Sequence, residues 1–195
     1  MKSAFLLILV SFLSIQPSFS TEHVVNKNKV EFDEELSARF VENCELGENI
    51  EEIKEALKSP ALDVNYSGFF IGETPLMGAI SYGHLDIAKL ILTHPDVNVN
   101  IIGGLFNQSA LQTAIEQNYS ELVSALIKHP KIDVNLDVGF KTYLMRAIDK
   151  GNIQYVKQLI EHPKIHINAT TDKGNTALMY AALKAPSYGE YEIGL

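Results

Sequence analysis

Three histidines, His94, His129 and His162, recur at intervals of 33 to 35 residues, each directly before a proline. Regularly placed imidazoles invite a metal-site reading, since neutral histidine is the commonest metal ligand. Cys44 is the only cysteine, so no internal disulfide and no paired-cysteine metal motif can form. It reads as a small buried apolar residue near the end of the first helix rather than a reactive thiol. Glu34, Glu35, Glu51 and Glu52 fall in runs that suit the solvated face of amphipathic helices. Gly103-Gly104 lacks the surrounding pattern of a phosphate-binding loop, and no zinc-protease helix motif or serine-nucleophile elbow occurs. The chain is expected to be no enzyme and to hold no metal or cofactor.

The elements that would position these residues follow from a repeat. The chain matches itself at a period of 33 to 35, most clearly in the blocks ending Val99-Asn100, Val134-Asn135 and Ile167-Asn168. Such periods mean stacked units. Leu76, Leu111, Leu144 and Leu178 form one column, Ala79, Ala114, Ala147 and Ala181 a second, and Ile80, Ile115, Ile148 and Ala182 a third. Their spacing places them on one face of a helix. After a short turn, Ile87, Leu122 and Tyr155, then Ile91, Leu126 and Leu159, then Leu92, Ile127 and Ile160 mark a second helix. Thr74-Pro75 reads as a hydroxyl cap with proline in the first turn. Gly83-His84 and Gly151-Asn152 separate helix from helix, and His94-Pro95, His129-Pro130 and His162-Pro163 end the second helices. Stacked helices lie about 8 to 10 Å apart, whereas zinc ligands each sit about 2 Å from the ion. The histidine column therefore cannot share one metal. Each imidazole is instead expected to bond the free carbonyls of its helix's last turn.

Gly72-Glu73-Thr74-Pro75-Leu76, Ala79, Gly83-His84-Leu85-Asp86-Ile87 and Asp96 to Asn100 together resemble an ankyrin repeat. The resemblance covers nearly all of the chain after the leader. It implies an all-α solenoid of helix-turn-helix units with β-hairpin connections. A divergent first unit runs from about Phe32 to Asn65, full units end at Asn100, Asn135 and Asn168, and a further unit begins at Gly174. The usual family histidine after Thr-Pro-Leu is replaced by Met77, Gln112, Met145 and Met179, so methionine packing is expected in place of a polar ladder. Pro75 is Ala110, Tyr143 and Ala177 in the other units, a change expected to soften those helix starts slightly.

Residues 1–20 carry Lys2, the apolar run Ala4 to Leu13 and small residues at Ser18 and Ser20, the pattern of a cleaved secretory signal. The apolar run is half of the roughly twenty residues that span a bilayer, so no stable membrane anchor is expected. Residues 21–31 read as a linker and 32–195 as the repeat domain. Without Lys2, 15 Lys and Arg remain against 24 Asp and Glu. That balance repels phosphate backbones and excludes nucleic acid as a partner. The sequons at Asn65, Asn107, Asn118 and Asn168 include turn positions too tight for glycans, which points to an exported bacterial protein, periplasmic or secreted. The last residues, Glu190 to Leu195, resemble the start of a second helix, so the stack is expected to lack a polar C-terminal cap.

The resemblance implies a protein-binding surface made of hairpin tips and the concave face of the first helices, with a non-catalytic subunit or enzyme regulator as the alternative. The tips are unusually apolar: Phe69 and Phe70 in one, Ile101, Ile102, Leu105 and Phe106 in the next, Phe140 in the third. Adjacent tips in a solenoid could merge these into one contact patch with aromatic anchors.

Overall fold

The computed structural model describes residues 31–67, 72–136 and 140–184. The expected leader and most of the expected linker lie outside them, as do Phe69 and Phe70 and the helix expected from Glu190. The first helix of each unit follows a hydroxyl or carboxylate cap. Asp33 accepts a hydrogen bond from the Leu36 N–H at 2.9 Å and opens α1 (Glu34–Leu46). Thr74, Ser109 and Thr142 accept from the N–H groups of Met77, Gln112 and Met145 at 3.4, 3.2 and 3.3 Å. They open α3 (Pro75–Ser81), α5 (Ala110–Glu116) and α7 (Tyr143–Asp149). Each such cap contributes about 1 kcal/mol, and it survives in α5 and α7, where no proline follows it. α1 has 13 residues against 7 in α3, which is how the first unit diverges.

The second helices are α2 (Ile50–Ala56), α4 (Leu85–Leu92), α6 (Ser120–Ile127) and α8 (Ile153–Ile160), and α9 (Ala177–Lys184) is another first helix. The pairs are joined through residues in the left-handed region: Gly47 and Asn49 in the first, then Gly83, Asn118 and Gly151 in turn. Glycine and asparagine reach that region at least cost. α1, α3, α5, α7 and α9 pack side by side in one row, and α4, α6 and α8 in a second. Between the rows Ala79, Ala114 and Ala147 are fully buried and let the helices close up, while Leu76, Leu111, Leu144, Leu122, Leu126 and Leu159 fill the core. The described residues thus form an all-α solenoid. One short antiparallel hairpin, β1 (Ile102–Gly103) with β2 (Gln108–Ser109), joins two of its units.

Met77 and Met145 are buried as the packing argument requires, Gln112 is buried beside them, and Met179 is exposed. Polar contacts between units persist through tyrosines: the Tyr143 hydroxyl meets the Ser109 Oγ at 2.6 Å, and the Tyr155 hydroxyl donates to Asn118 Oδ1 at 3.0 Å. Burial pushes the Tyr143 phenol up to about 12, so it stays a neutral partner. Leu178 is 78% exposed, whereas Leu144 in the same column is 3% exposed.

The histidines are placed differently from expectation. His94, His129 and His162 do not cap carbonyls. Their Nδ1 atoms accept from the N–H groups of Asp96, Lys131 and Lys164 at 3.2, 3.3 and 3.3 Å. The reason is the proline, which sets a β-turn in which the histidine carbonyl accepts from the N–H three residues on. The second residue after the histidine then points its N–H back at the ring. Ser59-Pro60 in the first unit makes the same turn, with the Ser59 Oγ accepting from the Ala61 N–H. A hydroxyl that replaces the imidazole fixes the column's role as a turn-forming acceptor.

Candidate interaction surface

The apolar tip residues sit on turns whose backbones need special conformations. Gly103 and Gly104 hold the second tip against the preceding one. A side chain at Gly103 would stand 2.3 Å from the Gly72 carbonyl oxygen, and the Gly104 N–H donates to that oxygen at 3.3 Å. The pair of glycines thus serves close approach between neighbouring connections. Beyond them Leu105 and Phe106 are 73% and 81% exposed. Ile102, on β1, is 40% exposed, and Ile101 is half-buried, so the two isoleucines are the inner edge of this tip.

Phe140, on the next tip, is 73% exposed and has φ of +70°. Gly72, Asn107 and Gly174 occupy the same register, each also with positive φ. A bulky residue in the left-handed region is strained, and here no burial offsets the strain. Of the seven residues singled out in the sequence, Leu105, Phe106 and Phe140 are therefore displayed outright, Ile102 in part and Ile101 less. Phe69 and Phe70 lie outside the described residues.

Behind the tips, the first-helix row carries charge that sequence reading passed over. Glu116 on α5 accepts from Gln108 and Gln112, each at 2.8 Å, and from Arg146 on α7 at 3.0 Å. Asp149 pairs with Lys141 and faces Lys184 at 4.0 Å. Glu116, Arg146, Asp149 and Lys150 line a shallow depression of about 360 Å³. Towards the first unit, Glu45 and Glu73 face the same side without such partners among the described residues. Burial, then the charges of Glu73 and Glu42, hold the Glu45 carboxyl above the ordinary range, and burial does so for Glu73. The register column Glu73, Gln108, Lys141 is the signal that could have found this gradient.

Cys44 is fully buried, and burial, reinforced by Glu45, pushes its thiol up to about 12. It is an inert core residue. Among the described residues no cluster of histidine, cysteine and carboxylates has the arrangement of a metal site. Glu34, Glu35, Glu51 and Glu52 are exposed, with Arg39 bridging Glu35 and Glu52 at 3.2 and 3.3 Å.

A family model described as ankyrin repeats (3 copies) matches the chain over residues 44–138, 95–171 and 136–193. No curated protein matches it.

Proposed function

From the premise that this chain belongs to the ankyrin repeat family, whose repeats generally serve as protein–protein interaction modules, we propose that it binds a partner protein through its hairpin tips and the first-helix face behind them. The observation that carries this reading is Phe140. Its side chain is exposed, its backbone is strained, and its register mates show that glycine or asparagine would serve the fold better. Strain without structural return is characteristic of residues kept for function. Leu105 and Phe106 add a second displayed tip. Phenylalanine at the centre of such a patch gives a partner a large apolar contact at low entropic cost. Ankyrin repeat proteins are typically non-catalytic.

Amide hydrogen exchange on the full chain with a partner captured from its native extract tests this. Protection should appear at 101–107 and at Phe140–Lys141. Protection confined to α4, α6 and α8 would overturn the reading.

The same proposal places the protein outside the cytoplasm, in a bacterial periplasm or medium. Its support is the pattern at Lys2, Ala4 to Leu13, Ser18 and Ser20. Among the described residues no helix is long and apolar enough to cross a membrane. N-terminal sequencing should find mature protein beginning at Thr21. Cytoplasmic protein retaining Met1 would contradict export.

A further inference from the structure

Glu73, Gln108 and Lys141 hold one register position, each directly before the capping hydroxyl of α3, α5 or α7. Their charge runs from negative through neutral to positive along the stack. At the neutral position Gln108 binds Glu116, whose other oxygen takes Gln112 and Arg146. At the positive position Lys141 satisfies Asp149. At the negative position the chain supplies no cation: among the described residues neither Glu45 nor Glu73 has an ion-pair partner, and Glu73 Oε2 is sealed from solvent with no donor.

The two carboxylates are nonetheless built into the surface. A side chain at Gly78 would stand 2.8 Å from Glu45 Cγ, and one at Gly104 would stand 3.0 Å from Glu73 Cγ. Two missing side chains thus leave the room in which the two acidic stems lie. Tyr82, exposed at the end of α3, shares their field: burial and then the charges of Glu45 and Glu73 push its phenol up. Gly104 belongs to the turn that carries Leu105 and Phe106, so the acidic pair and the apolar tip adjoin on one surface.

We propose that this continuous surface takes a cationic and apolar polypeptide segment, a Lys or Arg side chain lying against Glu45 and Glu73 near Tyr82 while neighbouring apolar side chains cover Leu105 and Phe106. The inference rests on the interaction reading above and names the partner's chemistry. Charge complementarity selects the occupant. A cation supplies what Gln108, Arg146 and Lys141 supply further along the stack, and an aromatic face beside it adds attraction. An acidic segment would place like charges together, which costs affinity and rejects such partners.

Selection of a phage-displayed library of random dodecapeptides on the immobilised full chain tests this. The retained peptides should carry Lys or Arg close to Leu, Ile or Phe. Their affinity should fall about tenfold in the Glu45→Gln/Glu73→Gln variant, the loss expected for one partly exposed charge pair. Binding should disappear in Leu105→Ser/Phe106→Ser. Both variants should melt no lower than the parent. Peptides lost with the tip variant but indifferent to Glu45→Gln/Glu73→Gln would leave the interaction reading standing and overturn the cationic one. Peptides sensitive to the carboxylates and indifferent to the tip would also overturn it. Retention of no peptide, or of peptides indifferent to both variants, would overturn both.

Discussion

Asn100 clamps the unit that follows it: its Oδ1 accepts from the Asp133 N–H at 2.8 Å while its Nδ2 donates to the Lys131 carbonyl at 2.7 Å. Asn65 does the same to Asn98 and Asp96, and Asn135 to His166 and Lys164. Each clamp is preset locally, because Asp63, Asn98 and Asp133 accept from the N–H of the asparagine two residues on. One amide side chain thus replaces a backbone rung between units that share no sheet.

Asn100→Ala should lower the stability to urea unfolding by about 1 to 2 kcal/mol, the usual loss for a paired side-chain hydrogen bond whose partners regain water. Asn168→Ala should cost less than half as much, since among the described residues Asn168 holds no such clamp. Equal losses at the two sites would show that the clamp does not link units.

Phe140→Gly should raise stability by up to about 1 kcal/mol, because relief of a left-handed bulky residue outweighs the entropy of one glycine. Partner binding should weaken in the same variant. A lower melting temperature would mean that the ring packs against the first helices after all.

The repeat period, the helix columns and the solenoid class were legible because burial imposes them: Leu76, Leu111 and Leu144 can only alternate with Ala79, Ala114 and Ala147 if one helical face is packed. What was not legible depended on through-space pairing. The link from Asn100 to Asp133 spans 33 residues, and nothing local reveals that an amide completes it. The histidine column was visible, yet its role turned on the direction of one N–H after a proline, which a carbonyl-capping argument got backwards. Ser59 at the same position was the available clue. Asn49 and Asn118 were missed as helix separators since only their glycine counterparts, Gly83 and Gly151, stood out. At the surface, the apolar tips were readable as composition, but exposure at Phe140 and half-burial at Ile101 depend on turn geometry. The seating of Glu45 and Glu73 depends on two glycines, Gly78 and Gly104, that lie far apart in sequence.

Stability should respond to pH in two opposed ways. Glu45 and Glu73 titrate above the ordinary 4.5, so between that value and their raised folded values the folded chain holds more protons than the unfolded chain. Their unfavourable contribution is therefore present at neutral pH and relieved as pH falls. His129 is lowered from 6.5 by burial and by Lys131, so its contribution is present above 6.5 and lost as pH falls through the folded value. Glu45→Gln/Glu73→Gln should accordingly be more stable than the parent near pH 8, with the advantage shrinking as pH falls towards 4.5. A pH-independent difference in melting temperature would contradict this assignment.

Cys44 should resist alkylation by iodoacetamide in the folded chain and react only on unfolding, because the thiolate is the nucleophile and burial suppresses it. Mass spectrometry along a urea titration reads the labelled fraction. Labelling in native buffer at the rate of free cysteine would mean that the α1 contact opens readily.

The central claim is that displayed tip residues, not core residues, carry binding. Affinity for the captured partner and melting temperature, measured together on Phe106→Ser/Phe140→Ser, test it most directly. Binding should be lost, while stability stays within about 0.5 kcal/mol of the parent or rises slightly, as expected for exposed positions. Retained affinity would contradict the claim. So would a loss of about 3 to 5 kcal/mol of stability, the cost of emptying buried phenylalanine sites.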